Sequence, residues 1–270
     1  MTNYLSPSIE KYFEEIVWLE AKLLVTDSFL TNAKNKIQQE NDDDRSICGL
    51  ITAYRDLSQL RGDVNLYAPH YSYELYVSRV EEEVTDIISS HCCLTISQAY
   101  EVFETFLISI LTEYLYQNQE YLVVCKLITA PLYLDRNTLL QKVKLNQRTN
   151  NKGLLKMVRT VSGHFRAHEA KNIHRVNITQ WFDLLSMIRH LLVHNRQKLS
   201  HRFLDYLAKQ KANALFDQQF KRKAIAGEVY IYMDKNAASD IICWLNSFAY
   251  FIYKSLSVES GLSVAVRQFN

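Results

Sequence analysis

Trp181-Phe-Asp-Leu-Leu-Ser-Met-Ile-Arg-His-Leu-Leu-Val-His-Asn195 is the stretch on which the reading of this chain turns. Trp181, Leu184, Leu185, Ile188, Leu191, Leu192 and Val193 recur at helical spacing, which predicts a helix starting near Asn177 or Thr179 and fraying around Arg196. So apolar a helix is expected to be buried on most sides. A guanidinium in such a run is costly unless something pairs with it. Arg189 therefore either meets a core carboxylate, Glu101 or Glu104 being the candidates, or faces a partner subunit or an anionic ligand. Its companion is His194, five residues on. The same spacing occurs at Arg159/His164, across a Ser162-Gly163 break, and at Arg196/His201, in the polar stretch after the helix. Spacing alone thus proves little, and only Arg189/His194 lies within a strongly periodic helix.

Outward from this segment, the 270-residue chain holds only six Gly and three Pro against 48% hydrophobic residues. Turn-formers so scarce predict a mainly all-α fold with short connections. Helices are expected at 7–39, 45–61 (capped by Gly62), 72–90, 97–117, 119–129, 136–147, 154–161, 201–213 and 236–256. Thr95 and Gln98 read as the capping box of the 97–117 helix, Asn41–Asp44 as a solvated junction, and 162–177 as irregular. Two short strands, 220–225 and 228–233, meet at Ala226-Gly227 as one hairpin. The expected organisation is an acidic N-terminal helical region at 1–94, a helical domain at 95–257 and a tail at 258–270.

Five Cys without CxxC spacing indicate neither a disulfide framework nor a zinc module. The N-terminus lacks the basic and apolar regions of a signal peptide, and the longest apolar runs are cut by Lys126 or Asn246. A cytoplasmic protein without a membrane span is the expectation. Net charge is only +2, yet residues 1–95 carry 16 acidic against 8 basic side chains, and the remainder 13 against 23. At 136–175, ten Lys and Arg face Glu169 alone. That imbalance points to a polyanion, with Lys142, Lys144, Arg148, Lys152, Lys156 and Arg159 as candidate phosphate contacts. The plainer alternative is a solvated basic face, or one balanced by the acidic N-terminal region.

The order of parts resembles the HEPN superfamily over roughly residues 95–257. The resemblance rests on the aromatic helix Ala99-Tyr-Glu-Val-Phe-Glu-Thr-Phe-Leu107, then short helices, the Arg-x4-His helix, a small hairpin and a closing helix. Arg189, the polar His190, His194 and the adjoining Asn195 match the family motif. The chain departs from one branch, which carries a Tyr two residues after the His. Here Arg196 stands there, so modification of that tyrosine is not carried over. The resemblance implies metal-independent RNA cleavage by a homodimer without a cofactor, in a toxin or phage-defence effector held in check by an antitoxin or regulatory protein. It implies catalysis by Arg189 and His194, supported by His190 and Asn195. Five residues on a helix turn by about 140°, so one copy is a poor bifunctional site and two copies across a twofold axis a better one. An imidazole suits proton transfer at the ribose 2′-OH, and a guanidinium the phosphate charge. His190 and His194 also have metal-ligand spacing, but two ligands do not make a site. A catalytically silent nucleotide-, RNA- or partner-binding module, or a helical adaptor, is the alternative.

Overall fold

The computed structural model describes residues 3–39, 52–55, 58, 64–67, 76–149 (backbone only at 147–149) and 152–266. In chain order they form α1 (Ser6–Gln39), β1 (Thr52–Tyr54), β2 (Asn65–Tyr67), a 3-10 turn at Val77–Arg79, α2 (Val80–Gln117), α3 (Tyr121–Val124), α4 (Arg136–Thr149) and α5 (Lys152–Val161). Then follow α6 (Gly163–His168), α7 (Ile178–His194), α8 (His201–Lys209), α9 (Asn213–Gln219), β3 (Lys221–Ile225), β4 (Glu228–Tyr232) and α10 (Lys235–Glu259). The fold is mainly all-α, as the shortage of turn-formers predicts. It divides into two compact units, one of residues 1–24 with 89–270 and one of residues 25–88.

The larger unit is organised by aromatic packing. Tyr12 of α1 lies against Phe103 and Phe106 of α2, with ring centroids 6.1 and 5.2 Å apart. Tyr100 stacks on Phe182 of α7 at 5.1 Å, and Trp181 meets Trp244 and Phe248 of α10 at 5.7 and 5.0 Å. Burying each such ring stabilises the fold by about 1.5–3 kcal/mol before entropy is counted. The N-terminus belongs to this core. Asn3 Nδ2 donates to Tyr253 Oη and Ser257 Oγ, both at 2.9 Å, and to the Ser263 carbonyl at 2.7 Å.

Several elements differ from the sequence expectation, each for a physical reason. The capping box at Thr95 does not form. α2 runs unbroken through the 94/95 boundary, and the Thr95 hydroxyl donates back to the His91 carbonyl at 2.9 Å. Buried Cys92, Ile96, Ala99 and Phe103 form one face on both sides of Thr95, so packing overrides the cap preference of the Thr. Within the helix expected at 45–61, Thr52–Tyr54 is a strand instead, paired antiparallel with Asn65–Tyr67, Ala53 opposite Leu66, in the smaller unit; most of the rest of that stretch lies outside the described residues. The Asn41–Asp44 junction and the Gly62 cap lie outside the described residues. Ser162 caps α6, inside the stretch expected to be irregular, by accepting from Phe165 N at 3.0 Å. The helix expected over 201–213 stops at Lys209; Lys211 at φ +52° breaks it, and a further helix, α9, starts at Asn213.

The hairpin β3–β4 forms where expected, with Ala226 at φ +50° and Gly227 at +81° making the two-residue turn that matches strand twist. Both α2 with its leading turn (Val77–Gln117) and α10 are long and apolar enough to cross a membrane by length and composition, with a mean hydropathy of 1.2 over their most apolar windows. Of those windows, 67% and 61% are buried inside the protein, as in core helices.

Candidate functional site

Asn177 starts α7 by accepting from Gln180 N at 3.1 Å, and Asn195 ends it, its N–H donating to the Leu191 carbonyl. At about 100° per residue, Trp181, Leu184, Leu185, Ile188, Leu191 and Leu192 fill a sector of about 120°. All six are buried. Buried Ile178 and Phe182 widen that arc to about 180°; Arg189 and Val193 stand at its edge, on either side of Phe182, and His190 and His194 lie opposite. Here Val193 is 52% exposed, and both imidazoles are exposed. α7 is therefore two-faced rather than buried on most sides, and Val193, expected in its buried pattern, is exposed.

The Arg189 side chain is 37% exposed and pairs with Glu101 of α2, itself 53% exposed. Nη2 lies 2.6 Å and Nε 3.2 Å from the same carboxylate oxygen, Oε1. The carboxylate partner weighed from sequence is thus the one found, but at the surface. Neighbouring residues explain the geometry: Tyr100, one before Glu101, stacks on Phe182 and fixes α2 against α7. Glu101 belongs to an exposed stripe of α2 with Leu94, Gln98 and Thr105, spaced as one helix face. The rings of His190 and His194 lie side by side at 4.6 Å, as their spacing dictates. Among the described residues, no group of three His, Cys, Asp or Glu is arranged to hold a metal.

Beyond Asn195, Arg196 and Gln197 both adopt positive φ, +49° and +68°. This left-handed pair turns the chain onto the hairpin, where Leu199 N donates to the Val229 carbonyl and Ile231 N to the Gln197 carbonyl, each at 2.8 Å. The sheet edge thereby anchors the end of α7 that carries His194.

The six candidate phosphate contacts separate into different environments. Lys152 pairs with Asp183 at 3.0 Å, and the same Asp183 oxygen accepts from Tyr206 Oη at 2.9 Å, tying α5, α7 and α8. Arg159 holds Glu169, with Nε 2.7 Å from Oε2, and also donates to Thr179 Oγ1. These two cations are engaged within the fold. Lys144 is exposed on α4, and the Arg148 side chain lies outside the described residues. Lys142 and Lys156 line one cleft together with Lys126. Lys126 was not nominated from sequence; the hint was a charge interrupting the apolar run Leu122–Leu134.

A second cluster joins α6 to α10. His164 Nδ1 lies 3.1 Å from Ser255 Oγ, and its ring stacks on His168 at 4.4 Å. Glu259 Oε1 accepts from His164 N at 2.8 Å and from Ser162 Oγ at 3.2 Å. Desolvation, followed by nearby His168 and Lys254, holds the His164 imidazole below its usual ionisation range. The cluster secures the start of α6.

No family model, curated protein or solved structure matches this chain.

Proposed function

We propose that the chain is a metal-independent endoribonuclease of HEPN type, working as a homodimer in which two copies of the α7 face meet. The observation that supports this is the outward sector of α7, where Arg189, His190 and His194 stand exposed on a helix whose other face is core. Buried apolar residues fix the helix, so the polar sector is held rigidly, as a catalytic surface requires. Glu101 engages Arg189 through Nε and Nη2, which orients the guanidinium and leaves further N–H donors for a phosphate. Val193 between the polar residues, and Leu94 on the α2 stripe, add exposed apolar area for a second copy to cover.

In this reading His194 of one copy takes the proton from a ribose 2′-OH. The freed oxygen attacks the adjoining phosphorus as the bond to the 5′-oxygen breaks. His194 of the other copy returns a proton to that leaving oxygen, giving a 2′,3′-cyclic phosphate and a 5′-OH. Arg189 stabilises charge on the phosphate in transit, and His190 and Asn195 support. RNA is the substrate because DNA lacks the nucleophile. A toxin or phage-defence effector, restrained by an antitoxin or other regulatory protein, is the cellular role in which such an activity fits.

The Glu101 pair favours one alternative, a silent module in which Arg189 only ties α7 to α2. Incubating labelled single-stranded RNA with the protein in EDTA separates the two. Cleavage to cyclic-phosphate ends is expected, falling by about 100- to 1,000-fold in Arg189→Ala and His194→Ala. Mixing the wild type with an excess of His194→Ala and allowing subunits to exchange should lower its activity, because a mixed dimer keeps only one of the two imidazoles the shared site needs. RNA left intact by the wild type, or cut equally by both variants, overturns the reading.

A further inference from the structure

We propose that the cleft between the turn after α3 and the α4–α5 helical pair is a binding site for a phosphate-bearing ligand, held by Lys126, Lys142 and Lys156. The cleft has a volume of about 430 Å³, within the range of small-ligand sites. Each lysine comes from a different element. Lys126 sits at φ +60° where α3 ends, in a turn closed by Lys126 N donating to the Val123 carbonyl and Leu127 N to the Leu122 carbonyl. Lys142 is on α4, its ammonium directed to the Leu127 carbonyl at 3.3 Å, and Lys156 is on α5. Gly153 lets the first turn of α5 approach α4, since a Cβ there would lie 3.0 Å from Asn146 Oδ1.

Convergence distinguishes this cleft from the rest of the surface. Several cations elsewhere find carboxylates, among them Lys152 with Asp183, Arg159 with Glu169 and Arg136 with Glu113, whereas here three lysines from three elements line one concavity. Among the described residues, none of the three cleft lysines has a carboxylate partner, and no Asp or Glu lines the cleft. Three lysines lining one concavity with no carboxylate among its lining residues make it electropositive, which favours entry of an anion. A phosphate, with up to two charges and several acceptor oxygens, answers three separate ammonium groups better than a carboxylate does.

The remaining walls describe the body of the ligand. Leu127, Leu145 and Met157 offer an apolar side for a ring, and Asn146 and Thr160 offer hydrogen-bonding groups at its edge. Cys125 also lines the cleft, but burial pushes its thiol up to about 11. It is therefore not a thiolate near neutrality, and the cleft binds rather than reacts. A nucleoside phosphate combines these properties, whether free or as a unit of an RNA strand. The site stands apart from the Arg189–His194 reading, and neither depends on the other.

Two probes test it on the whole protein: a fluorescent N-methylanthraniloyl nucleoside triphosphate, and a fluorescein-labelled 2′-O-methyl oligoribonucleotide that 2′-OH attack cannot cut. Binding of at least one, competed by inorganic pyrophosphate, is expected, and the probe that binds identifies the source of the phosphate. The combined variant K126Q/K142Q/K156Q should weaken it at least about tenfold. For the oligonucleotide it should also lower the slope of log affinity against log salt by about 2. A charge-matched control, K171Q/K209Q/K211Q, alters exposed lysines outside the cleft and should bind as the wild type does. Arg189→Ala should bind the nucleotide unchanged even where it abolishes RNA cleavage, which separates failure of this site from failure of the nuclease reading. Absence of binding to both probes, or equal weakening in the cleft and control variants, overturns the proposal.

Discussion

Replacing Arg189 with Ala distinguishes a residue kept for chemistry from one kept for architecture, and the geometry fixes what stability should do. The Arg189–Glu101 pair joins side chains 37% and 53% exposed, so water screens both charges. Exposed ion pairs contribute at most about 1 kcal/mol, whereas breaking a buried one costs about 3–5 kcal/mol. A double-mutant cycle with Arg189→Ala, Glu101→Ala and the double variant should therefore give a coupling energy of at most about 1 kcal/mol. For a chain of this size each kcal/mol moves Tm by about 2–4 °C, so Arg189→Ala should melt within a few degrees of the wild type. The cycle is measured by urea unfolding followed by circular dichroism, alongside RNA cleavage on the same preparations. Intact folding with activity lost places Arg189 in the chemistry. A coupling energy of 3 kcal/mol or more would mean the guanidinium is structural, and the surface geometry argued above could not be its working state.

Trp181→Ala removes a fully buried ring whose Nε1 donates to Gln219 Oε1 at 2.9 Å. It should cost about 3–5 kcal/mol in chemical unfolding, and a loss under 1 kcal/mol would contradict the packing described for α7 and α10. At Gln197, held at φ +68°, Gly should be neutral or stabilising by up to about 1 kcal/mol, and Val destabilising by about 1–2 kcal/mol. The reverse ranking would refute a left-handed turn after α7. Burial also holds the imidazoles of His164 and His174 below their ordinary range. The unfolded chain then binds more protons below about pH 6.5, so their contribution is complete above that value and declines on acidification. Melting temperature should fall between about pH 7 and 5.5, less steeply in His164→Gln, and an equal slope in that variant would remove His164 as a cause.

Where a helix decided its own course, the sequence was enough to read it. The 3.6-residue periodicity around Trp181–Leu192, the Asn177 cap and the Ala226-Gly227 turn are local, and local chemistry determines them. The exposure of His190 and His194 was within reach too, because both fall opposite the arc of apolar positions on α7. α2 was harder. Thr95 and Gln98 have the composition of a helix start, and only the core packed along Cys92–Phe103 carries the helix through them. Thr52–Tyr54 and Asn65–Tyr67 are too short to declare themselves as strands without the partner that pairs them. The sorting of basic residues was decided almost wholly in three dimensions. A lysine on the page reads the same whether Asp183 stands beside it, as for Lys152, or it lines a cleft with two other lysines, as do Lys126, Lys142 and Lys156. Electrostatic environment depends on distances between elements far apart in the chain, so the sequence by itself determined the locally coded helices and their candidate residues, and tertiary structure alone decided which cations pair with carboxylates and which line an open cleft.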